Sequence, residues 1–195
     1  MMTPLELKRQ LFHIAFGLAI IVLLYYGFLN AYLLLVMATL GLVLSYAAKH
    51  RRLPLVHKFL DHCERSEDIK AFPGRGVIYY ALGCAIAVAY FPKDVAMAGI
   101  MVLALGDSAS HLFGRFYGKR KHPFNPKKLV EGWAAGIVAG FFGAWIFVSP
   151  LEALLASAIA MTAETAEWGV DRRILDDNLF IPVMAAVVIA VMRIF

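Results

Sequence analysis

Seven apolar runs recur along the whole chain and read as membrane spans, at about 7–28, 31–48, 77–91, 95–112, 131–148, 151–168 and 179–195. A transmembrane helix needs about 20 mostly apolar residues, so seven of them would take up roughly 140 positions and leave only short connections. With 61% hydrophobic residues, 17% charged residues and a mean hydropathy of +0.70, the chain carries more apolar surface than a soluble fold of this size can hide. Disorder, a coiled coil and an ordinary cytosolic domain are excluded on the same ground. The expected fold is all-α: an integral membrane protein built as a single bundle of about seven transmembrane helices over residues 1–195. The basic start followed by an apolar run resembles a signal peptide. That run continues through Tyr25, Tyr26 and Phe28 without a small-residue cleavage pattern, and it reads as the first span.

Charge sets the expected orientation. If the N-terminus, residues 49–75, the stretch after His111 and residues 169–178 share one side, that side holds seventeen of the nineteen Lys and Arg residues. Only Lys93 and Arg193 fall opposite. Basic short loops stay in the cytoplasm, which puts the N-terminus inside and the C-terminus outside. The net charge of +5 is then a signature of topology and gives no reason to expect a nucleic-acid partner. Residues 49–75 mix Leu55, Phe59 and Leu60 with Arg52, Lys58 and Asp61; a short helix on the membrane surface and a solvated basic loop are both compatible with that pattern. Cys63 and Cys84 lie at different expected depths and do not suggest a disulfide or a zinc site. Gly132, Gly136 and Gly140 recur every fourth residue, the spacing that lets two helix backbones approach closely.

An ionisable group inside a span costs about 2.5–3.5 kcal/mol on insertion scales, so it usually faces a cavity and serves a function. Asp107, Glu131, Glu164, Glu167, Asp176 and Asp177 all fall near the expected cytoplasmic ends of the last four spans. They lie beside a loop carrying Arg115, Lys119, Arg120, Lys121, Lys127 and Lys128. Carboxylates gather divalent cations, Mg²⁺ shares phosphate oxygens with its protein ligands, and Lys and Arg grip phosphate. The combination points to a metal–nucleotide or metal–phospholipid site. Asp107 reads either as a metal ligand or base, or as a helix-end cap; Ser110 and His111 return to its face one turn on. Gly114 to Lys119 looks like a phosphate-binding loop, but the Walker spacing and its Ser or Thr are missing. Any phosphate held there would be held by charge and by backbone amides.

In order along the chain, these motifs resemble the membrane-embedded polyprenol kinase family: dolichol kinase, phytol kinase and the CTP-dependent diacylglycerol kinase. The resemblance runs through Glu6-Leu7-Lys8-Arg9 with His13 and Gly17, then Gly106-Asp107-Ser108-Ala109-Ser110. It continues in Gly114-Arg115, Gly118-Lys119 and Lys127-Lys128-Leu129-Val130-Glu131-Gly132, and closes with Glu167, Asp176-Asp177-Asn178 and Pro182. It implies phosphoryl transfer from CTP to a membrane-dissolved prenol or similar lipid alcohol, at the cytoplasmic face of a cell membrane. By that resemblance Asp107, Glu131, Glu167, Asp177 and Asn178 are candidates to hold Mg²⁺ or Mn²⁺, and Arg115, Lys119, Lys127 and Lys128 to grip the triphosphate. Asp107 is the first candidate for the base, with Arg9, His13 and Ser110 in supporting places. A cytidylyltransferase making a CDP-activated lipid would use the same groups, and a transporter remains a third reading. Transporters tend to place their sites near the bilayer midplane between repeats, whereas these acids lie at one face and no repeat is visible.

Overall fold

The computed structural model describes residues 3–64, 66–165 and 176–195. Helix α1 (Pro4–Tyr25) starts with Thr3 accepting the Glu6 N–H at 3.3 Å and Pro4 in the first turn, where its missing N–H costs nothing. Helix α2 (Ala31–His50) is capped the same way by Asn30, which accepts the Leu33 N–H at 2.9 Å. Residues 49–75 contain two helices, α3 (Pro54–Cys63) and α4 (Ser66–Ala71). On α3, Leu60 turns inward at 3% exposure while Leu55 stands out at 85%, so this segment has the amphipathic shape of a surface helix. Gly74, with φ of +76°, makes the turn into α5 (Arg75–Tyr90), a backbone geometry that disfavours any side chain.

The next helix is not uniform. It runs unbroken over Lys93–Tyr117 but changes winding twice: α6 (Lys93–Met101), a π-helical stretch (Val102–Asp107), then α7 (Ser108–Tyr117). Val95, Ala96, Ala98, Ile100, Val102, Leu103 and Ala104 along it are completely buried, making it the axis of the bundle. A short antiparallel hairpin, β1 (Lys121–His122) with β2 (Asn125–Leu129), follows, a small exception to the all-α expectation. Helices α8 (Val130–Trp145), α9 (Pro150–Thr165) and α10 (Asp177–Met192) complete the bundle.

The glycine stripe of α8 does what its spacing suggests. A Cβ at Gly132 would stand 2.5 Å from the Ser110 carbonyl, one at Gly136 would stand 3.0 Å from the Gly106 carbonyl, and one at Gly140 would stand 2.5 Å from Ser157 Oγ. Backbone thereby meets backbone along the π stretch and α7. The start of α10 is seated by the same device: a Cβ at Gly83 would lie 2.5 Å from the Asn178 carbonyl. Among the described residues, three helices are long and apolar enough to cross a membrane: Pro4–Tyr25, Ala31–His50 and Lys93–Tyr117. Helices α5, α8 and α10 are 16 residues each, about 24 Å at the helical rise, against a hydrocarbon core of about 30 Å, and α9 has 16 described residues. Leu11, Leu18 and Val22 on α1, and Leu35, Leu40, Leu42 and Val43 on α2, all face outward, an apolar exterior suited to lipid.

Candidate active site

A cavity of about 340 Å³ opens at the end of the bundle where α1 and α10 begin. On α1, Glu6, Arg9, Gln10 and His13 recur at helical spacing and all face it. Glu6 is 3% exposed and is held by Arg9 Nη1 at 3.4 Å, Gln10 Nε2 at 3.4 Å and Arg115 Nη2 at 3.7 Å, among others. Arg115 therefore reaches the cavity rim through Glu6. Opposite stands Asp107, the last residue of the π stretch, 5% exposed. One extra residue in a turn shifts the helical register, and π stretches of this kind recur at functional sites.

His13 and His111 flank the Asp107 carboxylate. His13 Nε2 lies 3.7 Å from Oδ2 and 3.4 Å from the Leu103 carbonyl, which can only accept, so this nitrogen carries the proton. His111 Nε2 lies 3.4 Å from Oδ1. Oδ1 has no hydrogen bond of good geometry among the described residues, although it is buried. A buried carboxylate oxygen left open in this way is available to a ligand.

The first turn of α10 supplies the third wall with Asp176, Asp177 and Asn178. Asp176 caps the helix by accepting the Asn178 N–H at 3.1 Å and pairs with Arg75 Nη2 at 3.0 Å. Burial pushes its carboxyl above the ordinary range, against the pull of Asn178 and Arg75. Glu64, also on the cavity wall, is pushed up by burial too, even though it accepts the Gly74 N–H at 2.9 Å. Lys128 enters from β2 and forms an ion pair with Glu164, which is 4% exposed. Burial opposes its charge, but Glu164, Asp177 and Asp107 outweigh that penalty and raise its pKa above the usual lysine value. Lys128 is thus a permanent cation facing the acids of the cavity.

The remaining candidates do not converge there. Glu131 is only partly buried and uses its carboxylate on the basic loop itself: the Lys119 N–H donates to Oε2 at 3.0 Å, and the Arg120 N–H lies 3.2 Å from both oxygens. The amides that the loop would offer to phosphate are therefore already occupied. Lys119 and Lys127 are exposed on that loop and on β2. Ser110 packs toward α8 at Gly132 and Gly136. Glu167 lies outside the described residues, and no cluster of three or more His, Cys, Asp or Glu side chains among the described residues is arranged to hold a metal ion. Replacing Glu131 by Ala is expected to speed hydrogen exchange at the Lys119 and Arg120 amides, readable by mass spectrometry, because the carboxylate that accepts from both is gone.

Comparison with known proteins extends over almost all of the sequence. The uncharacterized protein MJ1137 of Methanocaldococcus jannaschii is 30% identical over 187 residues, 94% of this chain and 92% of that protein. The CTP-dependent diacylglycerol kinase 1 of Schizosaccharomyces pombe is 28% identical over 57% of this chain, and a probable chloroplastic phytol kinase of Triticum aestivum is 30% identical over 58%. The chain belongs to one family with MJ1137, and its partial matches to CTP-dependent diacylglycerol kinases and phytol kinases are consistent with a lipid kinase family. It spans about half the length of the kinases it matches: the alignments cover 57% of the yeast enzyme and 43% of the wheat one. No family model and no solved structure matches the chain. With its apolar helices and its membrane kinase relatives, it is a membrane protein.

Proposed function

We propose that this protein is a CTP-dependent kinase of a polyprenol or similar isoprenoid alcohol. The observation that carries the reading is the cavity itself: buried Asp107 shares it with Asp177, Asn178 and the rings of Phe12, Phe16, Phe59 and Tyr80, and the nearby Lys128 feels the charges of Asp107 and Asp177. Phosphoryl transfer needs little covalent help from a protein; positioning and charge neutralisation do most of the work. In the proposed reaction the acceptor's hydroxyl oxygen forms a bond to the γ-phosphorus of CTP. The bond from that phosphorus to the β-bridging oxygen breaks, and CDP leaves. The hydroxyl proton passes to Asp107 Oδ1, which has no hydrogen bond among the described residues, while His13 fixes the carboxylate from its other side. Lys128 faces the transferring phosphate from within, and Lys127, Lys119 and Arg115 collect the nucleotide at the surface.

The donor set fits Mg²⁺ or Mn²⁺ as an ion shared with substrate phosphates. Such ions usually take one or two carboxylates and fill their remaining positions from phosphate and water, so two acids and an amide at one cavity suffice. Asp177 and Asn178, with Asp107, are the residues that would hold it; Glu131 is engaged elsewhere. When bound, the ion would neutralise charge on the triphosphate.

Nucleotide access implies that the cavity mouth faces the cytoplasm, with seven spans and the N-terminus inside. In a Cys63→Ser background, a cysteine at exposed Lys121 should react with a membrane-impermeant maleimide only from inside and one at Lys93 only from outside; Cys84 is buried. The reverse pattern would move the site away from cytoplasmic CTP. Lys127→Ala is expected to raise the KM for CTP about tenfold at nearly unchanged kcat, the pattern for a contact made equally in ground and transition states and worth about 1.4 kcal/mol. The activity itself is tested by supplying the purified, reconstituted protein with geranylgeraniol and either CTP or ATP: labelled γ-phosphate should reach the alcohol from CTP. Failure with CTP at any Mg²⁺ concentration would sink the proposal.

A further inference from the structure

The inner face of α1 changes character along its length. Glu6, Arg9 and Gln10 come first, His13 faces Asp107, and one turn further Phe16 and Gly17 take over. Helix α1 packs on α3, α6, α7 and the π stretch, whereas α5 packs on α2, α6 and α10. The interval between α1 and α5 is bridged by side chains. The Tyr80 ring of α5 lies 4.7 Å from His13 and 5.2 Å from Phe16, edge-on to both. Phe16 stacks on Phe12 at 5.7 Å, and Phe12 meets Phe59 of α3 at 5.3 Å. Four aromatic rings thus form a continuous wall, from Phe59, 43% exposed on the outside, to Tyr80, 2% exposed beside the reactive carboxylate. Tyr80 also carries an anomaly. Its hydroxyl is lodged against Gly17 and finds no hydrogen-bond partner among the described residues. A buried hydroxyl is ordinarily paired, and one that is not is poised for something that arrives.

We propose that Tyr80, with Phe12, Phe16 and Phe59, forms the subsite for the acceptor lipid: the tail leaves the cavity sideways between α1 and α5, and the alcohol end receives a hydrogen bond from the Tyr80 hydroxyl next to Asp107. This rests on the kinase reading and adds to it where the acceptor lies and of what class it is. Aromatic faces and one hydroxyl donor suit a single unsaturated chain ending in one alcohol. A diacylglycerol brings a second chain and two ester carbonyls, for which this aromatic wall has no further donor. Tyr80 is a binding residue in this scheme, and Gly17, having no side chain, leaves the room its hydroxyl occupies.

Two measurements on the full chain in nanodiscs test the subsite. Tyr80→Phe removes only the hydroxyl. It should raise the KM for geranylgeraniol about tenfold, leave the KM for CTP unchanged, and hold or raise the melting temperature, since an unpaired buried group is lost. An unchanged KM for the alcohol, or a lowered melting temperature with both KM values shifted, would show a merely structural tyrosine. If Tyr80→Phe fails to fold, Phe16→Leu serves in its place, with the same selective rise expected. In parallel, geranylgeraniol bearing a diazirine on its tail is photolysed with the protein and the adducts are mapped. They should fall on α1 and α5 and be displaced by geranylgeraniol but not by dioleoylglycerol. Turnover with adducts elsewhere, or equal displacement by dioleoylglycerol, overturns the subsite. Adducts on α1 and α5 without turnover of any alcohol would uphold the subsite and overturn the kinase reading.

Discussion

Asp107→Asn is expected to lower phosphoryl transfer at least a thousandfold, about 4 kcal/mol in barrier, in a protein that still inserts, purifies and melts near the wild-type temperature. The substitution keeps the shape of the side chain and removes its charge and its basicity. Asp107 is 5% exposed, its Oδ1 has no hydrogen bond of good geometry among the described residues, and His13 and His111 stand close. Asn keeps the volume of the side chain and can still accept from His13 and His111, so the fold should be retained. The control is at the other end of the bundle. Glu152 accepts from Arg193 Nε at 2.6 Å, and Arg193 Nη1 reaches Asp94 at 2.8 Å, tying the starts of α6 and α9 to the end of α10. Glu152→Gln should leave turnover intact and cost at most about 1 kcal/mol of stability, the range of exposed ion pairs. Equal damage from both substitutions would mean that the acids at the cavity have no special role.

Lys128→Met is the second large effect, and it should show in stability as well as in rate. It leaves Glu164 buried without its partner, a class of change that costs about 3–5 kcal/mol. Removing both charges, in Lys128→Met with Glu164→Leu, should restore most of the melting temperature, because an apolar pair of similar volume replaces a buried ion pair at little cost. Activity should not return. Lys128 also feels Asp107 and Asp177, so its charge is part of the cavity's field and no apolar side chain replaces it. Thermal unfolding and transfer rate measured on the three variants separate these roles. Full activity in the double variant would reduce Lys128 to a packing residue.

Lys127 and Lys128 also show where reading the chain reaches its limit. Side by side in a basic stretch, they look interchangeable as phosphate grips. On β2, Lys127 is exposed while Lys128, at the strand's end nearer α8, turns inward and pairs with Glu164. No periodicity in a five-residue strand announces that. Asp107, Asp177 and Asn178 were legible because polar groups at the ends of apolar runs are expensive, and the bundle does bring them to one cavity with Arg9 and His13. The α8 glycines were legible for a similar reason, since their spacing matches a helix face. The π stretch was not: its extra residue per turn is held by packing around Val102 to Asp107, and the apolar pattern there is that of any buried helix. Glu131 misleads because a carboxylate beside basic residues looks the same whether it binds an ion or caps its own loop; only the fold turns it back onto the Lys119 and Arg120 amides. Tyr80 sits in an apolar run, where nothing distinguishes an ordinary core tyrosine from one that lines a polar cavity.

Following phosphorus tests the central claim most directly. A kinase and a cytidylyltransferase would use the same acids, cations and CTP but attack different phosphorus atoms. Purified protein in nanodiscs, with Mg²⁺, geranylgeraniol, dioleoylglycerol and phosphatidic acid, is given CTP labelled at either the γ or the α position. The γ label should enter the lipid fraction when geranylgeraniol is present, the α label should stay in aqueous CDP, and a chelator should stop the transfer. Incorporation of the α label into lipid, with release of pyrophosphate, would contradict the kinase and establish nucleotidyl transfer to a lipid phosphate in its place.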